Sequence, residues 1–337
     1  EGSYVNRFQK LTLGDDRDQL IFETAGLDTP NLNMYSGRMN FGWNGLSLRG
    51  EYVHKSNDLV TPNANEATKG QAIYAELGYS YKNFSFSAMG RVLDNMGTAL
   101  SLYGSGTGNA LNYLPALTRQ YTYMLANLNP YQVKANGEIG GQIDLCYSYR
   151  SKTDRYRYWN FHANFSTFYS LKTLASNDGK RKLFWRDINF DVERQWNKKW
   201  KSTLLYSFQD NQDKQAHIFV GDVTHKFNRK NSLRFEVQYL LSGDDKSEWD
   251  GMHSEGDWVA ALVEFSLAPR WSIYVQDMYN IGMTKTHYYN GGFSYTHSRT
   301  RVQLSYGRNR AGYICSGGVC RYSPAYTGFN LVLTSSF

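Results

Sequence analysis

The sequence predicts an all-β fold, a transmembrane antiparallel up-and-down β-barrel of about sixteen strands with short periplasmic turns and long extracellular loops. Three observations predict it. Apolar and polar side chains alternate in segments of about ten residues, the length that a tilted strand needs to cross a bilayer. Short and long connections alternate, and aromatic residues form 16% of the chain, a composition typical of strands. A mean hydropathy of -0.58, without a run of ~20 apolar residues, excludes a spanning helix.

The strands are predicted in chain order from this alternation. The first six run over Gly2 to Lys10, Met34 to Phe41, Leu46 to His54, Ala72 to Tyr81, Phe84 to Val92 and Gly141 to Tyr149. Ten more centre on Phe165, Phe190, Tyr206, Phe219, Val237, Val263, Val275, Phe293, Leu304 and Leu333. The alternation is weakest from Ala216 to Phe227. An even number of strands places both termini on the periplasmic side of a bacterial outer membrane.

The connections decide between a barrel and a sandwich, because one alternating strand fits either fold. Trp43-Asn44-Gly45 predicts a two-residue hairpin of the primed type, and short turns are also predicted near Lys82, Asn197, Lys230, Pro269 and Arg299. Long polar segments separate these turns, at residues 11–33, 57–70, 94–136, 171–182, 243–256 and 311–326. Short turns on one side and long loops on the other are typical of transmembrane barrels.

The segment 94–136 is too long for an ordinary connection and contains apolar residues such as Leu111, Leu114 and Leu117. We expect it to be partly ordered, either folded into the lumen as a plug or covering the outer surface as an extracellular cap. The whole chain, including this segment, is predicted to form a single outer-membrane β-barrel domain over residues 1–337.

Charged residues on the inward-facing rows are candidates for lining the lumen. These candidates are Asp187, Asp191, Glu193, Arg234, Glu236 and His162. Rings of charge set the selectivity of pores, so one interpretation is a charged constriction that sorts solutes. The alternative is a salt-bridge network that holds the lumen together, and the sequence leaves both open.

Aromatic residues next to the short turns predict a girdle at the inner membrane interface, formed by Trp43, Trp196, Trp200, Trp271 and the terminal Phe337. Cys315 and Cys320 enclose four residues in an outer loop, which predicts a disulfide in an oxidising compartment. Two thiols without a nearby histidine or carboxylate make a poor zinc site. Cys146 lies on an inward row and is expected to stay unpaired.

Several classes of function are disfavoured by the sequence. It contains no G-x-S-x-G elbow, H-E-x-x-H motif, P-loop or dinucleotide fingerprint, so no catalytic residue, cofactor or metal is predicted. The net charge of +7 comes from basic residues dispersed at strand ends, which argues against nucleic acid as a partner. The expected partners are outer-membrane lipid and other outer-membrane or periplasmic proteins in a complex.

Several stretches of the chain resemble one family in series. The C-terminal ones are Tyr306 to Ile314, the Cys-Ser-Gly-Gly-Val-Cys loop with Arg321, and Leu333 to Phe337. Further ones are Tyr35 to Arg38, Gly50 to Val53, Arg91 to Asn95, Leu114 to Thr118 and Asn136 to Glu138. Together they resemble an uncharacterised outer-membrane family of the Bacteroidota, labelled DUF6029. Members of that family are longer at the N-terminus, so the resemblance allows for strands upstream of Glu1 in a longer protein.

Two functions follow as hypotheses, because the resemblance supplies a class and a location without an activity. The first is a non-enzymatic channel with a polar lumen, like a porin or transporter, whose lumen is either open or plugged by a loop. The second is a structural or accessory barrel subunit of an outer-membrane complex for protein assembly, export or uptake, with the long loops contacting partners.

Overall fold

The structure, a computed structural model, describes residues 1–8, 31–59, 67–98, 100, 114–154, 156–171, 179–212, 214–243, 256–316 and 319–336. Strands and their turns account for most of these residues. Across these ranges there is no helix that is long and apolar enough to cross a membrane.

The strands follow one another along the chain. They are β1 (Gly2–Phe8), β2 (Asn31–Trp43), β3 (Leu46–Leu59), β4 (Ala67–Tyr81), β5 (Phe84–Asp94), β6 (Gly137–Arg150), β7 (Tyr158–Ser170), β8 (Leu183–Gln195), β9 (Trp200–Asn211), β10 (Lys214–Lys226), β11 (Asn231–Ser242), β12 (Trp258–Leu267), β13 (Trp271–Asn280), β14 (His287–His297), β15 (Thr300–Asn309), β16 (Gly312–Ser316), β17 (Val319–Ser323) and β18 (Tyr326–Ser335).

Sixteen of these strands form one antiparallel sheet in the order β1 to β15 and then β18, and each strand pairs with its neighbour in the sequence. This confirms the predicted up-and-down arrangement, including β10, where the alternation was weakest. The sheet is not closed, because within the described ranges β1 pairs only with β2 and β18 only with β15. Closure of this sheet into a barrel is therefore not observed and stays a prediction.

The last connection differs from the prediction of a long loop over residues 311–326. β16 and β17 pair with each other as a separate hairpin, in which Tyr313 lies opposite Tyr322. Each strand has only five residues, too few for the alternation of apolar and polar side chains to be recognised in the sequence.

The two faces of the large sheet have different side chains, because successive residues of a strand point to opposite sides. The outer face is apolar and exposed: the exposed fraction is 67% at Leu204, 64% at Val275 and 76% at Phe329. The inner face, to which Arg234, Glu236 and Gln238 of β11 belong, carries most of the charged side chains. Large exposed apolar surfaces are normally covered by protein or lipid.

The connections at the two ends of the sheet also differ. At one end, two residues, Asn44 and Gly45, join β2 to β3 with positive φ angles of 46° and 84°. Positive φ at both positions is the primed hairpin geometry that the sequence predicted. A Cβ atom at Gly45 would lie 2.3 Å from the carbonyl oxygen of Ser80, so the close approach of β4 also requires glycine there. The opposite end has the longer connections, including residues 9–30 and 95–136, although β9 and β10 are joined there by only 212–213.

Candidate functional site

Ion pairs between adjacent strands extend across the inner face. Arg38 of β2 pairs with Glu51 of β3 at 3.3 Å, and Lys201 of β9 pairs with Glu193 of β8 at 2.9 Å. Register explains one of these pairs directly, since Arg38 and Glu51 are Cα partners. Opposite charges placed across a pair of strands stabilise the sheet.

The predicted lumen-lining residues all lie on this inner face. Arg234 donates to Glu236 and lies 3.0 Å from Asp222 of β10. His162 of β7 lies between two carboxylates, 2.8 Å from Asp144 and 2.9 Å from Asp191. Glu193, as described, pairs with Lys201. The arrangement is a network of paired charges, and selection of solutes by these residues stays a prediction.

Asp187 differs from the other candidates because it is completely buried. Its carboxylate accepts hydrogen bonds from the hydroxyls of Ser166 and Tyr121 and from the amide of Asn189 at 3.1 Å. Burial and the neighbouring Asp187 raise the pKa of Tyr121 well above its ordinary value, so Tyr121 stays a neutral donor. In this arrangement Asp187 faces the tyrosine instead of open space.

Residues 114–136, which we call the crossing segment, lie over the inner face between the end of β5 and the start of β6. The backbone N–H of Leu125 donates to the side-chain oxygen of Gln238 in β11 at 2.8 Å. The amide of Gln209 in β9 donates to the carbonyl of Ala126, also at 2.8 Å. These bonds join the crossing segment to strands far from those that it connects.

Three arginines also hold the crossing segment in place. Arg91 of β5 donates to the carbonyl of Pro115 at 2.6 Å, and Arg119 forms an ion pair with Asp191 of β8. Arg310, which follows β15, donates to the carbonyl of Leu128. The anchors therefore come from strands on both sides of the segment.

A buried apolar cluster holds the middle of the crossing segment. Its members from the segment are Tyr123, Leu125, Ala126 and Leu128, and those from the sheet are Leu205, Ile218, Val220, Leu240, Trp258 and Ala260. Ile218 and Val220 point inward while Phe219 points outward, so β10 is apolar on both faces. This explains its weak alternation. The sequence showed both the weak alternation of β10 and the apolar residues of the longest connection, but it did not show that the two pack against each other.

A buried ion pair holds the end of the crossing segment. Glu138 of β6 accepts hydrogen bonds from Arg91 at 2.6 Å, from the Tyr131 hydroxyl at 2.7 Å and from the backbone N–H of Lys134 at 2.7 Å. Tyr131 also stacks on Phe168 of β7, with ring centroids 5.0 Å apart. Burial and the adjacent Glu138 raise the pKa of Tyr131. With these contacts the crossing segment touches every strand from β5 to β12.

The predicted girdle tryptophans Trp43, Trp196, Trp200 and Trp271 are exposed beside the short connections. The guanidinium of Arg194 lies between two rings, 3.5 Å from the centroid of Trp196 and 4.1 Å from that of Trp159. Phe337 lies outside the described residues. Contact of this belt with a membrane interface stays a prediction.

The cysteines fall into two groups. Cys315 and Cys320 are Cα partners across β16 and β17. Their side chains lie outside the described part of the structure, so the disulfide stays a prediction. Cys146 of β6 is a free thiol on the inner face.

Comparisons with known proteins gave one family and several solved structures. A model described as a family of unknown function, DUF6029, matches residues 1–337. Two mutants of the Rhodopseudomonas blastica porin are similar at 13% identity, with TM-scores of 0.42 in both cases, over 82% of this chain and 84% of theirs. A structure described as "Asymmetric conductivity of engineered proteins" is also 13% identical, with a TM-score of 0.40, over 91% of this chain and 94% of its own. No curated protein matches the chain.

Proposed function

We propose, for a chain that belongs to the DUF6029 family of unknown function, a β-barrel channel of the bacterial outer membrane whose lumen is restricted by the crossing segment. The sheet closes around its inner face, the outer face meets lipid, and small polar solutes pass beside the segment. The chain has no enzymatic activity in this proposal.

The chemistry of the two faces supports the membrane part of the proposal. Apolar side chains such as Leu204, Val275 and Phe329 are exposed along the outer face. Contact of such side chains with water is unfavourable, and contact with lipid removes that cost. Ion pairs and buried hydrogen bonds lie on the inner face. Apolar side chains outside and polar ones inside are the arrangement of a transmembrane barrel, the reverse of a water-exposed sheet packed on an apolar core.

The position of the crossing segment supports the proposal that the lumen is a channel, because the segment covers only part of the inner face. Contacts from β5 to β12 place it over one side of the inner face. On the other side, Arg38 of β2 and Arg49 of β3 keep exposed side-chain fractions of 43% and 62%. Their carboxylate partners, Glu51 and Glu76, lie beside them. The proposed path for solutes follows these paired charges, which favours small polar solutes over apolar ones.

Single-channel conductance in a planar bilayer tests the proposal. We expect steady, salt-dependent current steps from the purified protein. Replacing residues 117–130 by a short Gly-Ser linker should enlarge the steps, because it removes the restriction. The control replaces residues 281–286, the described connection between β13 and β14 at the same end of the sheet, by the same kind of linker, which should leave the step size unchanged. Silence from both the natural chain and the variant lacking 117–130 would contradict a channel.

A second candidate function is a structural or accessory subunit of an outer-membrane complex. The buried anchors of the crossing segment favour it, since a segment held by Glu138 and by an apolar cluster is suited to closing a lumen permanently. Gentle extraction of the native protein would then recover a stable partner, and the purified chain would not conduct.

A further inference from the structure

Asp144 and Cys146 of β6 and His162 of β7 bring three different metal-binding groups together on the inner face. One ligand atom from each lies within 4.8 Å of the other two. Nε2 of His162 is 2.8 Å from Oδ2 of Asp144, and Sγ of Cys146 is 3.6 Å from Oδ1 of the same carboxylate. These residues take no part in the contacts that hold the crossing segment.

The register of the strands creates this cluster. Asp144 and Cys146 are two residues apart on β6, so their side chains share a face. Cys146 is the Cα partner of His162, and His162 is the Cα partner of Asp191 on β8. Cys146, His162 and Asp191 therefore form a row across three adjacent strands, at the spacing at which cross-strand side chains interact. Asp144 lies beside this row, on the same face of β6 as Cys146.

The surroundings orient two of the three groups. Nδ1 of His162 lies 2.9 Å from Asp191, which in turn pairs with Arg119. The amide of Asn164 donates to Oδ2 of Asp144 at 2.9 Å. A histidine that binds a metal through one nitrogen usually donates a hydrogen bond to a carboxylate from the other, which fixes the ring and raises its basicity. Asp191 is placed to accept that bond.

We propose that Asp144, Cys146 and His162 bind a thiophilic divalent metal ion such as Zn²⁺ or Cd²⁺. At ordinary bond lengths and a tetrahedral angle, nitrogen and oxygen ligands lie about 3.3 Å apart, and sulfur and oxygen ligands about 3.5 Å apart. The observed distances run to the two different oxygens of Asp144, 2.8 Å from Nε2 to Oδ2 and 3.6 Å from Sγ to Oδ1, so the imidazole, the thiol and the carboxylate adjust their positions to admit the ion. Thiolate and imidazole select Zn²⁺ and its soft relatives over Ca²⁺ or Mg²⁺.

The charges balance on binding. His162 faces a carboxylate with each ring nitrogen, and a ring nitrogen carries a proton when it donates to an ionised carboxylate. Binding of M²⁺ releases the proton on Nε2 and the thiol proton of Cys146 to water, and the two positive charges of the ion replace them. The side chains of Asp144 and His162 keep exposed fractions of 27% and 22%, so the ion can enter from the inner face and hold a water molecule as its fourth ligand.

Titration with Cd²⁺ of the folded protein in detergent tests the site. The background is C315S/C320S, which leaves Cys146 as the only thiol. We expect one equivalent of Cd²⁺ to bind with a thiolate-to-metal absorption band, and the bound ion to protect Cys146 from a maleimide reagent. The protection measurement needs no substitution in the cluster. Neither a band nor protection at saturating Cd²⁺ would overturn the proposal.

Variants assign the ligands. C146S should abolish the band, and D144N and H162Q should weaken binding. D191N should keep the band and lower the affinity about 10- to 100-fold, as expected when the carboxylate behind a ligand histidine is lost. His287 and Asp277 form a matched control, a histidine–carboxylate pair at 2.6 Å on the strands β13 and β14. H287Q should bind Cd²⁺ like the background, and equal losses in H287Q and H162Q would overturn the assignment.

Discussion

Glu138 is a fully buried carboxylate that accepts hydrogen bonds from three donors. Taking an ionised group out of water is costly, and the cost is offset only when the geometry of the pair is good and its remaining lone pairs are satisfied. Arg91, Tyr131 and the backbone of Lys134 satisfy them here. Because two of these donors belong to the crossing segment, Glu138 couples the position of the segment to the stability of the sheet.

Removing Arg91 should therefore be costly. We expect Arg91→Met to lower the free energy of unfolding by about 3–5 kcal/mol, because it leaves a buried charge unpaired. The double variant Arg91→Met/Glu138→Gln should recover most of this loss. Guanidinium unfolding in detergent, followed by tryptophan fluorescence, measures both.

The control is Arg49→Met, which breaks an exposed pair with Glu76 at 3.7 Å and should cost at most about 1 kcal/mol. Similar losses at Arg91 and Arg49, or no recovery in the double variant, would show that Glu138 is not a buried charge that requires its partner.

For individual residues, the sequence predicts the face of the sheet on which a side chain lies better than it predicts which residues that side chain contacts. Period-two alternation places Asp191, His162 and Arg234 on the inner side, and all three are found there. Their partners depend on register between strands and on the course of the crossing segment. The pairing of His162 with carboxylates from the strands on both sides, and of Asp191 with Arg119, could not be derived from single-strand patterns.

The crossing segment contacts strands far from β5 and β6, the two strands that it connects. It has no strand or helix of its own and is held by side chains from β5 to β12. Leu205 of β9 belongs to the apolar cluster under it and is 4% exposed, whereas the adjacent Leu204 points to the outer face. Leu205 therefore supports the crossing segment, whereas its neighbour Leu204 belongs to the outer surface.

Leu205→Ala should release the crossing segment. Truncating a buried leucine leaves a cavity and costs about 2–5 kcal/mol. We expect trypsin to cut after Arg119 faster in this variant, with the protein reconstituted in vesicles and the cleavage site identified by mass spectrometry. Leu204→Ala is the matched control and should be cut at the natural rate. Equal cleavage in the two variants would argue against anchoring by the apolar cluster.

The strands were predictable because their alternation repeats, and all sixteen in the large sheet were found. One of them, β10, was predicted from weak alternation, and one hairpin was not predicted. β10 is obscured because Ile218 and Val220 face inward to meet the crossing segment, so its polar face is partly apolar. The hairpin of β16 and β17 is too short for periodicity, and its residues were assigned to a loop.

Across the described residues, one face of the large sheet is apolar and the other carries most of the charged side chains. Both follow from the sequence pattern, and so does the asymmetry of the connections at the two ends of the sheet. Closure of the sheet does not follow, because it depends on how the edge strands β1 and β18 meet. The placement of residues 114–136 does not follow either, since a connection without periodicity carries no signal of which surface it covers.

The proposed channel requires that the outer face of the sheet meets lipid while the inner face does not. Val275 and Gln276 are adjacent in the middle of β13, with Val275 on the outer face and Gln276 on the inner face. Insertion of denatured protein into lipid vesicles, scored by the heat-modifiable folded band, compares Val275→Arg with Gln276→Arg.

An arginine that faces the bilayer midplane costs roughly 2–4 kcal/mol, whereas a lumen-facing one is solvated. We expect a strong loss of insertion for Val275→Arg and near-natural insertion for Gln276→Arg. Equal insertion of the two variants, or a greater loss for Gln276→Arg, would contradict the assignment of the faces and with it the proposed channel.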